Sequence, residues 1–246
     1  MEYFFETVET IGAGHGFSQF DRCHLIWLLL FVCFAAGCAL LYRRGGTVRR
    51  RRMRWTIAAL LVADELFKLT ILLWKGLFLP KYLPLHLCSI NIFLILFHAT
   101  RPNRFLSKFL YLVCLPAAAA ALLFPSWTEL PPANFMHLHS FTVHILLATY
   151  PIMLTAGGEV RARAKDLPGC ILLCLALAVP AWCFNQIFGT NFMFLSSAEP
   201  GNPLYWFEQT FGSHLIGFPV IGALVFAVLL LPPYLLRRHK RARAAA

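Results

Sequence analysis

Four histidines, a cysteine and three asparagines recur within apolar stretches of this chain at spacings that suit acyl transfer. The run Leu83-Pro84-Leu85-His86-Leu87-Cys88-Ser89-Ile90-Asn91 sets an imidazole two residues before a thiol and a carboxamide three after it. A second apolar stretch opens His137-Leu138-His139-Ser140-Phe141-Thr142-Val143-His144. On a helix His137, Ser140 and His144 share a face, being spaced by three, four and seven, while His139 points elsewhere, toward the interface. A third stretch ends with Cys183, Asn185 and Gln186 and continues Gly189-Thr190-Asn191. A thiolate is a strong nucleophile, and a neighbouring imidazole can take the thiol proton. An asparagine can orient that imidazole, and polar donors can hold the oxyanion of an attacked ester. Cys88, His144, His137 and Asn185 are therefore the candidate catalytic residues. His86, Asn91, Ser140 and Asn191 are candidate substrate contacts.

These residues also have plainer uses. Cys88 suits packing, His137 an interfacial position, and Asn185 and Asn191 the capping or bridging of helices. His86, Cys88, His137 and His144 could gather around a metal, but they lack a carboxylate and the compact spacing of zinc motifs. No metal and no cofactor is expected. A further polar set, Asp64, Glu65 and Lys68, interrupts another apolar stretch. Asp64 and Lys68 are four apart and can pair along one helix face. They read as an ion pair locking the bundle, or as a proton relay or polar headgroup contact, so both join the candidate substrate contacts.

Elements long enough to position these groups must cross a bilayer. The chain is 59% hydrophobic, and its mean hydropathy of +0.66 is far above that of a soluble domain of 246 residues. A spanning helix needs about 20 apolar residues, and the runs here are too long and continuous for barrel strands. Seven runs qualify, at about 24–42, 55–74, 84–99, 107–124, 137–156, 167–188 and 214–236. Pro84 suits the first turn of the third span, and Pro116, Pro151, Pro180 and Pro219 fall inside later ones, each removing a backbone bond. The fold class is all-α: a polytopic membrane protein with seven transmembrane helices in one bundle, a single domain over residues 1–246.

Charge sets the orientation. Arg43, Arg44, Arg49–Arg52 and Arg54 follow span one, Arg101, Arg104 and Lys108 follow span three, and Arg161, Arg163 and Lys165 follow span five. Arg237, Arg238, Lys240, Arg241 and Arg243 fill the tail. With seven spans, these 18 of the 22 Lys and Arg residues lie on one face, and Glu2, Glu6, Glu9, Asp21, Glu129, Glu199 and Glu208 lie mostly opposite. The positive-inside rule puts the N-terminus outside and the C-terminus in the cytoplasm of a multi-pass protein of the cell inner (plasma) membrane. Arg49–Arg52 reads as a stop-transfer and anionic-lipid contact, so membrane lipids and not nucleic acid are the expected partners. An acidic, aromatic segment precedes span one, which therefore reads as a retained anchor. Seven of the eight cysteines fall within spans as small apolar fillers, and Cys23, at the outer edge of span one, suits a free thiol. The longest outer loop, about 189–213, is rich in aromatics and reads as an interfacial belt or a lid. Spans three and five run inward and span six outward, so His86, Cys88, His137, His144 and Asn185 share the outer half of the membrane. One polar recess open to the outer leaflet accounts for them together.

The Pro-Leu-His-Leu-Cys run, the histidine-bearing start of span five, and Asn185 through Gly189-Thr190-Asn191-Phe192-Met193-Phe194-Leu195 resemble the YwaF-type family of bacterial integral membrane proteins. The resemblance covers nearly the whole chain. That family is similar to a eukaryotic membrane acyltransferase that uses a cysteine to move acyl chains between phospholipids. More distantly it resembles the androgen-induced membrane hydrolases, which cleave esters of hydroxy fatty acids with a threonine and a histidine. The resemblance implies lipid acyl chemistry, with Cys88 matching the nucleophile and His144 the base. The competing reading is a non-enzymatic transporter or small-ligand receptor. The absence of a lysine from span seven, where a Schiff base would form, argues against a retinal protein.

Overall fold

The computed structural model describes the backbone of residues 3–12 and 14–245 and the side chains as far as Leu231. The described residues form nine α-helices and no strand: α1 Arg22–Arg44, α2 Thr47–Trp74, α3 Leu87–Thr100, α4 Arg104–Phe109, α5 Leu115–Leu123, α6 Phe135–Ala156, α7 Leu167–Phe188, α8 Pro203–Phe211 and α9 Gly217–Ala245. Local chemistry sets several ends. Asp21 caps α1 by accepting from the His24 N–H at 2.9 Å. Asn134 caps α6 through the N–H groups of Met136 and His137, and its own amide donates to the carbonyls of Tyr3 and Glu6. α4 and α5 form one rod broken by a π turn at Leu110–Cys114. Pro116 follows that turn and has no N–H to continue the ladder, so the wider turn absorbs the fault.

Six stretches are long and apolar enough to cross a membrane: Arg22–Arg44, Pro80–Thr100, Arg104–Leu123, Phe135–Ala156, Ala164–Phe188 and His214–Leu231. The expected seven thus become six by length and composition. The one lost is α2, which has 28 residues but carries five arginines as well as Asp64, Glu65 and Lys68. It starts at Thr47 rather than 55 because its arginines are good helix formers and extend it backwards. Pro84 lies ahead of α3, not in its first turn. The Leu85 N–H bonds to the Leu83 carbonyl around it, and His86 takes the cap position.

α6 is the axis of the bundle. It packs on α1, α2, α3 and α5, and 67% of its apolar window is buried, against 11% for α1, α7 and the start of α9. Those outer helices turn Leu29, Val32, Leu172, Val179, Leu224 and Val228 outward, as a lipid-facing surface requires.

The basic loops meet at one end. Tyr42 and Arg54 both donate to Glu159, at 2.7 and 3.2 Å, and Lys108 reaches Asp166 at 2.7 Å. Gly157 leaves room for the Tyr42 ring there, since a Cβ on it would lie 2.6 Å from that ring and something would have to shift. At the other end the segment before α1 folds over the helices. Phe17 N–H bonds to the Thr128 carbonyl, and Glu9 pairs with Lys81 and Tyr82. Glu2 and the side chains of Arg237, Arg238, Lys240, Arg241 and Arg243 lie outside the described residues.

Candidate functional site

α2, α3 and α6 pack against one another and bring most of the polar residues together. Cys88 is the second residue of α3, half-buried against the main core. The His86 side chain does not cap this helix, and the N–H groups of Leu87, Cys88 and Ser89 find no acceptor among the described residues. The thiol thus sits on the turn that carries the positive end of the helix dipole and three free donors. Asn91 is fully buried. Its amide turns back over the same turn to donate to the Leu87 carbonyl at 2.8 Å, and its Oδ1 has no partner. Cys88 Sγ makes no hydrogen bond to any imidazole among the described residues.

His144 sits on α6, half-buried and stacked on Trp127 with ring centroids 5.2 Å apart and planes 13° from parallel. Its Nδ1–H donates to the Ser140 carbonyl at 2.6 Å, which leaves the Nε2 lone pair free. Ser140 is half-buried and meets His144 through its carbonyl.

His137 is fully buried and has both ring nitrogens engaged. Nδ1 donates to the Leu130 carbonyl at 3.3 Å, and Nε2 accepts from the Trp27 indole at 3.0 Å. It ties α6 to α1. His139, expected to face the interface, is instead buried against α2. Its Nδ1 lies 3.3 Å from Asp64 Oδ2 and its Nε2 3.7 Å from Glu65 Oε2. Lys68 pairs with Glu65 at 2.6 Å, not with Asp64 as its spacing suggested. Asp64 Oδ2, Glu65 Oε2 and His139 Nδ1 are buried without hydrogen-bond partners, and a proton on Asp64 or His139 would join the closest two.

Asn185 is buried and spends its amide on the loop after α7. Its Oδ1 accepts from Thr190 Oγ1 and the Phe192 N–H, both at 2.8 Å, and its Nδ2 donates to the Phe192 carbonyl at 3.1 Å. Asn191 closes the next turn by accepting from the N–H groups of Ser196 and Ser197. The loop reaches α3 when the Met193 N–H donates to His86 Nδ1 at 3.3 Å, with Phe192 edge-on to the ring. No three His, Cys, Asp or Glu side chains among the described residues gather to hold a metal ion.

A family profile matches residues 19–230, from just before α1 well into α9. The chain belongs to the TMEM164 family. Neither the curated proteins nor the solved structures contain a match to it. The TMEM164 profile covers all three clusters: the first turn of α3, the α2–His139 contacts and the loop that Asn185 fastens. Sequence reasoning missed His139 as a partner of α2, Trp27 as a partner of His137, and Met193 as a partner of His86. The one signal for the first was Asp64 beside Glu65: two adjacent acids in an apolar helix with a single lysine in reach call for a polar partner from another element.

Proposed function

We propose that this membrane protein transfers or hydrolyses lipid acyl esters, with Cys88 as nucleophile and His144 as base. The observation that carries the reading is the placing of the thiol on an uncapped helix turn, in a bundle where His144 keeps Nε2 free by donating from Nδ1. The sequence resemblance to a cysteine-dependent membrane acyltransferase supports it. In the first step His144 Nε2 takes the Cys88 proton and sulfur adds to the acyl carbonyl. The N–H groups of Leu87, Cys88 and Ser89 supply donors for the resulting oxyanion. Collapse breaks the C–O ester bond, the leaving alkoxide takes the proton from His144, and a thioester remains. An acceptor hydroxyl, or water, then gives its proton to His144 and attacks the thioester. The thiolate leaves and recovers that proton. Water or the substrate hydroxyl bridges sulfur and imidazole, which are not directly bonded.

On this reading α2 crosses as a seventh span, and the basic end faces the cytoplasm. Cys88 then opens toward the outer leaflet of the plasma membrane. The test is lipid profiling of membranes carrying wild type, Cys88→Ala or His144→Ala at equal protein level. An altered acyl pattern lost in both variants is expected, and identical patterns in all three would remove the enzyme reading. A second reading, a proton-coupled transporter, draws on the unpartnered atoms at Asp64, Glu65 and His139. Uptake into proteoliposomes that Asp64→Asn abolishes and Cys88→Ala leaves intact would favour it.

A further inference from the structure

Met193 and Phe194 take φ values of 58° and 54° in succession, a left-handed conformation unfavourable to any residue with a Cβ. Such geometry persists only where the surroundings impose it. Here the imposition is visible. Asn185 makes three hydrogen bonds to Thr190 and Phe192, at 2.8, 2.8 and 3.1 Å, and is itself only 3% exposed. Phe192 is fully buried. The next N–H, that of Met193, is thereby held against Nδ1 of His86.

A ring nitrogen that accepts a hydrogen bond carries no proton, so the proton of neutral His86 resides on Nε2. His144 has the opposite tautomer, with its proton on Nδ1 and its lone pair on Nε2. The fold thus supplies one imidazole as donor and one as acceptor, each fixed by a backbone group. His86 is two residues from Cys88 and occupies the N-cap position of the same helix, with its ring left free of the helix's own N–H groups. Its Nε2–H has no partner among the described residues.

Resting on the acyl-transfer reading, we infer that His86 donates its Nε2–H to the oxygen of the acyl ester as negative charge develops there. Asn185 is the positioning residue that sets this tautomer, acting through Phe192 and Met193. The asparagine therefore serves a histidine, but His86 rather than the base, and through the backbone rather than by direct contact.

Steady-state kinetics on the full chain in mixed micelles, with a phospholipid labelled in its acyl chain, test the assignment. His86→Phe should lower kcat on the order of 10²–10³-fold, as loss of an oxyanion donor does, with little change in KM. His86→Gln restores an N–H donor and should recover part of the loss. Asn185→Leu should lower kcat similarly, and the double variant with His86→Phe should lose no more than the worse single. In ¹⁵N spectra of labelled histidine, His86 should be a single Nε2–H tautomer in wild type and a mixture in Asn185→Leu. Multiplying losses in the double variant, or a loss confined to KM, would overturn the inference. If Asn185→Leu does not accumulate, Thr190→Val removes one of the three bonds, and an unmoved tautomer and kcat would count equally against it. Wild-type turnover in Cys88→Ala would instead end the acyl-transfer reading. The ¹⁵N tautomer would then judge the role of Asn185 by itself.

Discussion

Lys68→Met should strongly destabilise the protein, and Glu65→Gln in the same chain should restore most of the loss. Lys68 Nζ lies 2.6 Å from Glu65 Oε1, and the two side chains are only 7% and 5% exposed. Removing the ammonium strands a carboxylate whose other oxygen already lacks a partner. Breaking one side of a buried ion pair costs about 3–5 kcal/mol, most of it the penalty of the charge left behind. For a chain of this size about 1 kcal/mol moves Tm by roughly 2–4 °C, so the single variant should melt about 6–20 °C lower. The paired variant removes both charges and leaves polar and apolar groups of similar volume, so it should melt within roughly 5 °C of wild type.

A thiol-reactive dye offers the assay, because Cys114 and Cys170 are free and buried and become reactive only on unfolding. Midpoints in one detergent at one heating rate give the comparison. Asp64→Asn should cost less than Lys68→Met, since the Asp64 side chain is 17% exposed and its partner stands off at 3.3 Å. A paired variant as unstable as Lys68→Met, or a single variant within about 2 °C of wild type, would refute the charge-balance reasoning.

Four further outcomes follow from contacts elsewhere. Trp27→Phe removes the donor to His137 Nε2 and leaves a buried acceptor unpaired, costing about 1–3 kcal/mol in the same melting assay. Gly157→Ala presses a methyl to 2.6 Å from the Tyr42 ring and should cost about 1–3 kcal/mol. Burial acts to raise the Glu9 carboxyl, but hydrogen bonds from Lys81, Tyr82 and Thr7 outweigh it and hold it down to about 2, below its ordinary 4.5. Its contribution, about 1 kcal/mol once screening is allowed for, is present above pH 4.5 and lost as pH falls toward 2; Glu9→Gln should flatten that limb of the melting profile. Hydroxylamine should release a labelled acyl group from wild type trapped in mid-turnover and none from Cys88→Ala.

Residue spacing foretold the helices better than their contacts. The apolar runs gave every helix that crosses the bundle, and α7 matches its expected bounds of 167 and 188. The boundary errors have local causes: arginine runs that prolong α2 backwards, and a proline turn that delays α3. Among the site residues, helical periodicity set His144 and Ser140 on one face, and the structure joins them through the Ser140 backbone carbonyl, four residues back along the helix. It also put His137 on the same face, but could not show that Trp27, 110 positions away, engages its Nε2. Lys68 had candidate acids at both three and four residues. The nearer one won because Asp64 faces His139 from α6. Spacing along one helix ranks local partners, and the neighbouring helix decides among them.

The helix least suited by composition to a membrane is the one most engaged with the polar site. A charged residue at the centre of an inserted helix costs about 2.5–3.5 kcal/mol, so Asp64, Glu65 and Lys68 would cost α2 roughly 8–10 kcal/mol if it crossed alone. The observed contacts reduce that cost, since Lys68 pairs with Glu65 within α2 and His139 on α6 lies against both acids. On the proposed topology α2 therefore enters the bilayer stably only when α6 is beside it. The two are separated by α3, α4 and α5, so the polar contact closes late in synthesis. The same contact packs α2 against the helices that carry Cys88 and His144. The charges that made α2 fail as a span are what bind it to the helix at the centre of the bundle.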